Sequence, residues 1–276
     1  MVEIGKYNVL TVIDELDFGM ILDGGEGQRI LLPRRYVPNG CVVGTELEVF
    51  IYLDSEDRII ATTEMPNATV GEFACMRVTS VNKVGAFLDW GLMKDLLVPF
   101  REQKTTMQEG KWYVVYVYYD KESGRIAATA KIDKYLDNTL PQYERGQEVD
   151  IMIAAETEIG YKVIINNEHW GMVYHNQVFK PIQKGDRMKG YVKLIREDDK
   201  IDINLTPFGF DKAATLTDVI LEKLAENNGS LPFNDKSSSE SIQEQFQCSK
   251  KAFKMAIGSL YKQKKIVIAD NGIKLA

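Results

Sequence analysis

Short runs of alternating hydrophobic and polar residues fill the chain up to about Pro207, and Gly, Asp and Asn separate these runs. Successive side chains of a strand point to opposite faces, so the alternation predicts short strands joined by turns. Beyond Pro207 the hydrophobic residues recur every three or four positions, which is the period of a helix with one buried face. The chain is therefore expected to be mainly β, with a C-terminal α+β domain.

Glycines at fixed spacing divide the β region into three repeats. Intervals of 14 and 25 residues separate the glycines of each set: Gly5, Gly19 and Gly44; Gly71, Gly85 and Gly110; Gly146, Gly160 and Gly185. After the third glycine, each repeat has an alternating run, a charged turn and a short strand, read as DSEDRIIATT, DKESGRIAATA and REDDKIDINL. Five short strands in each repeat, with glycines at the bends, predict three tandem OB-fold barrels.

The alternating run after the third glycine is expected to have one inward and one outward column of side chains. The predicted inward columns are Leu47, Val49, Ile51 and Leu53; Tyr113, Val115, Val117 and Tyr119; and Met188, Gly190, Val192 and Leu194. The outward columns are Glu46, Glu48, Phe50 and Tyr52; Trp112, Val114, Tyr116 and Tyr118; and Arg187, Lys189, Tyr191 and Lys193. Because the middle repeat is apolar on both faces, a neighbouring domain is expected to cover its outward column.

The middle repeat resembles the RNA-binding repeat of ribosomal protein S1. The resemblance rests on Gly85-Ala86-Phe87, on the apolar Leu96-Leu97-Val98, and on the turn from Asp120 to Arg125-Ile126. The other repeats supply Phe18-Gly19, Leu31-Leu32 and Asp54 to Arg58-Ile59, and Ile159-Gly160-Tyr161, Gly171-Met172-Val173 and Lys200-Ile201.

S1 repeats have two aromatics around the second-strand glycine, a histidine after the third strand, and an Asp/Arg pair near the fifth. The equivalent residues are Phe18, Ile21, Pro33, Asp54 and Arg58; Val84, Phe87, Pro99, Asp120 and Arg125; and Ile159, Lys162, Tyr174, Arg196 and Lys200. The histidine is absent from all three repeats, and aromatics are lost in each. The resemblance implies the fold in every repeat and RNA contacts by Phe87, Arg125, Lys162, Tyr174, Arg196 and Lys200, without the standard binding mode throughout.

Three helices are predicted in the C-terminal region. The buried face of the first is marked by Leu216, Val219, Ile220 and Leu224. Gly229 is expected to end this helix. Ser237 and Glu240 form a capping-box pattern before a short second helix, and Ser249 is placed to cap a third helix that runs to about Gln263.

A hairpin follows, because KIVIA and GIKLA flank the turn pair Asp270-Asn271. Three helices and a hairpin predict a winged helix-turn-helix with the third helix in the recognition position. The predicted nucleic-acid contacts on that helix are Lys250, Lys251, Lys254 and Lys262, and Lys264 and Lys265 extend the patch toward the wing. A solvated helix face is the competing interpretation of these lysines.

The order of units resembles the conserved virulence factor B family of bacteria. The segments that carry this resemblance are IGYKVIINNEHWGMVYHNQVF, GYVKLIREDDKIDINLTP and CSKKAFKMAIGSLYKQKKI. It implies three S1-like barrels and a winged helix, with RNA binding and post-transcriptional control of gene expression. The expected domains are residues 1–65, 66–142 with a linker, 143–210 and 211–276.

The charge distribution separates the first repeat from the others. The whole chain has a net charge of −6, and residues 1–65 hold 5 basic and 12 acidic residues, a net charge of −7. At equivalent outward positions, Glu46 and Glu48 stand where the third repeat has Arg187 and Lys189. A polyanion is repelled by the glutamate pair and attracted by the Arg187/Lys189 pair. The first repeat is therefore not expected to contribute to RNA affinity.

Motifs for catalysis, metals or cofactors are absent from the sequence. It has no CxxC pair and no Gly-rich loop followed by Lys-Ser or Lys-Thr, and its only histidines are His169 and His175. The 3 cysteines favour a reducing cytoplasm, and no apolar run is long enough for a membrane span. A non-enzymatic cytoplasmic protein without a cofactor is expected.

The favoured function is binding of single-stranded RNA, mainly by the third barrel together with the winged helix. The connection from Pro207 to Thr215 is short, and Phe208 and Phe210 are available to pin these two domains together. Two alternatives remain open. The winged helix could serve a DNA-binding transcription regulator, or the altered barrels could serve a protein–protein adaptor.

Overall fold

The computed structural model describes residues 2–178, 181–207, 212–246 and 248–276, and only the backbone of residues 212–215. Phe208 and Phe210 lie outside the described residues. The chain divides into two compact units. One consists of Met1–Thr139 with Asn167–His169, and the other of Leu140–Asn166 with Trp170–Ala276. None of the described helices is both long and apolar enough to span a membrane.

The first repeat is a closed five-stranded barrel with the strand order β1-β2-β3-β5-β4. Its strands are β1 (Tyr7–Leu16), β2 (Gly19–Asp23), β3 (Arg29–Pro33), β4 (Glu46–Leu53) and β5 (Ile59–Thr62). Neighbouring strands are antiparallel except β3 and β5, which are parallel. The interior is filled by Val12, Met20, Leu22, Ile30, Leu32, Val49, Ile51 and Ala61. The predicted OB fold is confirmed.

The second and third repeats have the same strand order. The second contains β6 (Phe73–Val81), β7 (Gly85–Leu88), β8 (Leu96–Pro99), β9 (Trp112–Asp120) and β10 (Arg125–Thr129). The third contains β11 (Glu148–Thr157), β12 (Gly160–Ile165), β13 (His169–Tyr174), β14 (Arg187–Ile195) and β15 (Ile201–Asn204). The third is a closed barrel, whereas the second is a five-stranded sheet with β8 and β10 at its edges. Closure depends on a short edge, since β3 and β5 share one residue pair in the first barrel.

The glycine spacing arises from backbone contacts that recur in all three repeats. A Cβ atom at Gly19, Gly85 or Gly160 would lie 2.2 Å from the carbonyl oxygen of Leu32, Val98 or Val173, respectively. The second and third strands of each repeat therefore approach so closely that only glycine fits.

The third glycine of each repeat binds a bulge in the first strand. The amides of Gly44, Gly110 and Gly185 donate to the carbonyl oxygens of Val12, Val78 and Ile153 at 2.8, 2.9 and 2.8 Å, respectively. The first strand changes register immediately after each of these acceptors. The bulge bends the strand so that it can pair with both of its neighbours. The constant spacing of the glycines thus results from the same bend of the first strand in each repeat.

The first and second repeats share a hydrophobic core. Phe50 and Tyr52 point away from the first barrel, as predicted, but both are buried. The ring of Trp90 meets Phe50 edge-on at 5.6 Å, and the Trp90 indole donates to the carbonyl oxygen of Ala68 at 2.8 Å. Deletion of residues 1–65 would expose this core, so the two repeats are not independent modules.

The outward column of the second repeat is partly covered by the segment that follows it. Tyr116 stacks on Tyr135 at 3.8 Å between ring centroids, whereas Trp112 at the start of β9 is 55% exposed. The inward columns of the second and third repeats also end earlier than predicted, whereas that of the first is buried through Leu53. Tyr119 lies at the end of its column and is 36% exposed. Leu194 is 52% exposed because a bulge between Val192 and Leu194 changes the alternation.

The C-terminal region forms a winged helix around its own core. It contains α1 (Lys212–Glu226), β16 (Ser230–Leu231), α2 (Ser239–Phe246), α3 (Lys250–Lys262), β17 (Ile266–Ala269) and β18 (Gly272–Leu275). The core includes Ile220, Leu224, Ile242, Phe246, Phe253, Ala256, Ile257, Leu260 and Ile273.

The predicted helix ends are confirmed with one correction. The Ser249 hydroxyl accepts from the amide of Ala252 at 3.2 Å and caps α3. Ser238, and not Ser237, caps α2, because the Ser238 hydroxyl accepts from the amide of Ser241 at 3.1 Å. Ser237 instead accepts from the amide of Asn234, in the loop that binds the turn of the wing.

We expect Gly85→Ala to destabilise the second repeat by more than about 2 kcal/mol, because its methyl group would force β7 away from β8. Gly110→Ala is the matched control. Its positive φ imposes strain, but a Cβ there meets no atom within 4 Å. Urea unfolding measures both variants. Equal losses of stability would show that the close approach of β7 and β8 is not what requires glycine.

Candidate nucleic-acid interface

The S1-like positions of the first barrel include an intact Asp/Arg pair. Arg58 Nη2 and Nε lie 2.7 and 2.9 Å from Asp54 Oδ2. Phe18, in the turn before β2, is 61% exposed, whereas Ile21 is buried. The opposite end of β4 from Asp54 is acidic. Glu46 and Glu48 are exposed there, and neither forms an ion pair within the described residues.

In the second repeat the corresponding Asp/Arg pair is not formed. Asp120 accepts a hydrogen bond from the Ser123 hydroxyl at 2.8 Å. Arg125 instead forms an ion pair with Asp57 of the first barrel, and Lys94 lies 3.6 Å from the same carboxylate. The hydrogen bond from Arg125 lowers the pKa of Asp57. Arg125 therefore links two repeats, and its predicted RNA contact would have to compete with Asp57.

Phe87, the remaining predicted contact of the second repeat, is half-buried on β7 and paired with Leu97 of β8. Val84 before it is 56% exposed, but it has no ring for stacking. The second repeat thus presents one aromatic side chain at its S1-like positions, and its RNA contact stays a prediction.

The outer face of β12 and β13 in the third barrel combines aromatic and basic side chains. On β13, Val173 packs into the barrel core, and a Cβ on Gly171 would strike Val163 and Ile165 in that core. The intervening Trp170, Met172 and Tyr174 therefore project outward, and all three are half-buried. We call Lys162, Trp170, Tyr174, Lys193 and Arg196 the aromatic–basic face.

Cations lie beside both rings of the aromatic–basic face. The Lys162 ammonium is 3.6 Å from the centre of the Trp170 ring. Lys193 Nζ and the Arg196 guanidinium carbon are each 6.0 Å from the centre of the Tyr174 ring. These distances are within the range of cation–π attraction. Lys162 thus lies beside Trp170, a residue that the sequence analysis missed, and Lys193 and Arg196 lie beside Tyr174.

A buried carboxylate fixes the end of the aromatic–basic face. Arg196 lies 3.0 Å from Asp202, and the Tyr174 hydroxyl donates to Asp202 at 3.4 Å. Arg196 also contacts the Tyr174 hydroxyl. The hydrogen bond to Asp202 is the main cause that raises the pKa of Arg196. Lys200, the other predicted contact at this turn, is paired with Asp198 instead.

The outward column of β14 is neutralised along part of its length. Arg187 and Lys189 are exposed and Tyr191 is half-buried, as the alternation predicts. However, Lys189 Nζ lies 2.9 Å from Asp150 and 3.6 Å from Glu148 on β11. The bond to Asp150 is the first cause of the raised pKa of Lys189.

Tyr191 also donates to Glu148, at 3.1 Å. The predicted column is therefore split, because Arg187 and Lys189 lie where β14 pairs with β11, and Lys193 lies next to Tyr174.

The lysines of α3 are differently placed. Lys251, Lys254 and Lys262 are exposed, and Lys250 is half-buried. Within the described part of the chain, none of the four forms an ion pair with a carboxylate. The core-facing side of α3 consists of Phe253, Ala256, Ile257 and Leu260. The lysine side of the helix is thus a basic surface without internal neutralisation.

The two histidines occupy structural positions. His169 is buried, and its Nε2 lies 2.9 Å from the carbonyl oxygen of Thr139. His175 Nε2 lies 3.0 Å from the carbonyl oxygen of Thr157. Among the described residues, no group of three or more His, Cys, Asp or Glu side chains could hold a metal ion.

Comparisons with known proteins agree with this architecture. The family model for the S1 domain matches residues 4–64 and 70–131, and the model for the CvfB-like winged helix domain matches residues 218–275. Domains of both kinds are nucleic-acid-binding types.

Relatives align over nearly the full length. The chain is 28% identical to "Uncharacterized protein YitL" of Bacillus subtilis strain 168, covering 97% of this chain and 92% of that protein. It is 27% identical to "Conserved virulence factor B" of Staphylococcus aureus strain USA300, covering 99% of this chain and 94% of that protein.

A crystal structure described as a multidomain protein with nucleic acid binding domains, from Streptococcus pneumoniae TIGR4, is 25% identical to the chain. The alignment covers 99% of this chain and 98% of the chain in that structure, with a TM-score of 0.46. The chain thus contains S1 domains and a CvfB-like winged helix domain, and over nearly its full length it is similar to a protein named "Conserved virulence factor B".

Proposed function

We propose that the protein is a non-enzymatic regulator that binds single-stranded RNA, mainly through the third barrel and the winged helix, and acts after transcription. The observation that carries the proposal is the aromatic–basic face. Trp170 and Tyr174 lie on one outer barrel surface, with Lys162, Lys193 and Arg196 beside their rings.

This combination suits unpaired bases and their phosphates. An aromatic ring can stack on a base only where the face of that base is open, as it is in a single strand. A base that stacks on Trp170 would displace the Lys162 ammonium from the ring, and the ammonium could then bind a neighbouring phosphate. Recognition by stacking tolerates any base, so weak sequence preference is expected.

The winged helix supplies the second part of the proposed RNA surface. Its α3 lysines have no described carboxylate partner, so they can meet phosphates without first breaking an ion pair. The connection from Pro207 to Thr215 is short. When one domain has bound, a short linker holds the other at an effective concentration of order millimolar, which raises overall affinity. Because the connection is short, we propose that the third barrel and the winged helix bind the same RNA molecule.

The basic α3 also favours a second candidate function, binding of duplex DNA by the recognition helix of a winged-helix domain. The aromatic–basic face distinguishes the candidates, because the stacked bases of a duplex do not offer their faces to Trp170 or Tyr174. An adaptor without affinity for nucleic acid would bind neither ligand.

We expect tighter binding to a fluorescein-labelled oligouridine than to duplex DNA of equal length at the same salt concentration. Fluorescence anisotropy measures both affinities. The affinity for RNA should fall as salt rises, because bound lysines release counterions from the phosphates. Equal or tighter binding to the duplex would favour the DNA-binding candidate, and binding to neither would favour the adaptor.

Trp170→Ala and Tyr174→Ala should each weaken oligouridine binding roughly ten-fold, since one stacked base contributes about 1–3 kcal/mol. Trp112→Ala is the matched control, because Trp112 is an exposed aromatic at the start of β9 in the second repeat. Its loss should change the affinity less than two-fold, roughly within error. Comparable losses from Trp112→Ala and Trp170→Ala would contradict a principal site on the third barrel.

Two lysines of the same strand give a charge test. Lys193→Ala should reduce the slope of log affinity against log salt by about 0.7, the value for one phosphate contact on a single strand. Lys189→Ala should leave the slope unchanged, because the Lys189 ammonium already lies between Asp150 and Glu148. A larger change in slope from Lys189→Ala would place RNA on the β11–β14 side of the barrel.

A further inference from the structure

Gly258 lies in the middle of α3 and is half-buried, on the side of the helix away from the core residues Phe253, Ala256, Ile257 and Leu260. Glycine is the least favourable residue in a helix interior apart from proline. A Cβ atom at Gly258 would meet no other heavy atom within 4 Å, so no contact among the described residues requires glycine there. This differs from the second-strand glycines, where the neighbouring strand excludes any side chain. The fold itself therefore gives no steric reason for glycine at this position.

The side chains around Gly258 form a ring of charge and apolar surface. Lys254 and Lys262 lie four residues before and after it, and Met255 and Tyr261 lie three residues before and after it. Residues at these spacings are neighbours on a helix surface. Both lysines are exposed, and Met255 and Tyr261 are 53% and 55% exposed. Because Gly258 has no side chain, it leaves a gap on the helix surface between Lys254 and Lys262, which we call the notch.

We infer that this notch is a contact site for the sugar–phosphate backbone of single-stranded RNA. The inference rests on the proposed function and assigns Gly258, Met255 and Tyr261 to it. Without a side chain at Gly258, the RNA backbone can approach the helix closely. Lys254 and Lys262 then bind phosphates on either side, and Tyr261 stacks on an adjacent base.

Charge selects nucleic acid as the occupant of the notch. The ring contains Lys254 and Lys262, and Lys251 lies one further turn along the same helix face. No carboxylate within the described residues pairs with these ammonium groups. A polyanion with regularly spaced charges matches this arrangement, and the exposed ring of Tyr261 adds a surface that a base can cover.

The test fills the notch in the full-length chain and measures stability and oligouridine binding together. Gly258→Ala should raise the melting temperature of the winged helix by about 4 °C, because alanine is the best helix former. It should nevertheless weaken binding about three-fold, and the bulkier Gly258→Gln at least about ten-fold, because a side chain there holds the RNA backbone away. Ser259→Gln, which adds similar bulk one position round the helix, should leave binding unchanged.

A Gly258→Ala variant with a higher melting temperature and a weaker affinity for oligouridine would support the notch. If the wild-type protein binds oligouridine and both Gly258 variants bind it equally well, the notch is refuted while the proposed function stands. If the wild-type protein does not bind oligouridine, the proposed function itself fails. Should Gly258→Gln disturb the helix, Gly258→Ala decides, since alanine cannot weaken binding by unfolding α3. Equal losses from Ser259→Gln and Gly258→Gln would also overturn the inference.

Discussion

The close approach of the second and third strands is the constraint on which the three repeats depend. At Gly19, Gly85 and Gly160 the backbone packs against a carbonyl oxygen so closely that a Cβ would lie 2.2 Å from it. This contact fixes a tight two-stranded ribbon in every repeat. In the third barrel the outer surface of that ribbon carries Trp170 and Tyr174, so a rigid backbone contact supports the proposed binding face.

The repeats share this frame but differ in the partners of their charged residues. In the first barrel Asp54 holds Arg58, in the second Arg125 crosses to Asp57, and in the third Arg196 turns to the buried Asp202. The ion pair between Arg125 and Asp57 links the first two repeats at the surface. Phe50 and Trp90 join the same two repeats in a common core. In the third barrel Lys162 and Lys193 lie beside the rings of Trp170 and Tyr174, whereas Lys189 is paired with Asp150. This difference in partners argues for a division of labour among similar folds.

Much of the architecture was predictable from local rules. The spacing of the glycines predicted the barrels. The helical periodicity and the Ser249 cap predicted the winged helix. The surface was less predictable, because it depends on which strands and domains meet. Lys189 is neutralised because the register of β14 against β11 places Asp150 opposite it. Phe50 is buried because the second repeat packs against it. Trp170 was missed although it lies on the same strand face as Tyr174, because the S1 positions do not include it.

The central claim is that RNA lies on the third barrel and on α3 rather than on the acidic first barrel. Photocrosslinking of the full-length protein to oligouridine containing 4-thiouridine, followed by peptide mass spectrometry, tests it most directly. The account predicts crosslinks in the peptides that contain Trp170, Tyr174 and Tyr261. Crosslinks concentrated at Phe18 in the first barrel, with none on β13 or α3, would contradict it.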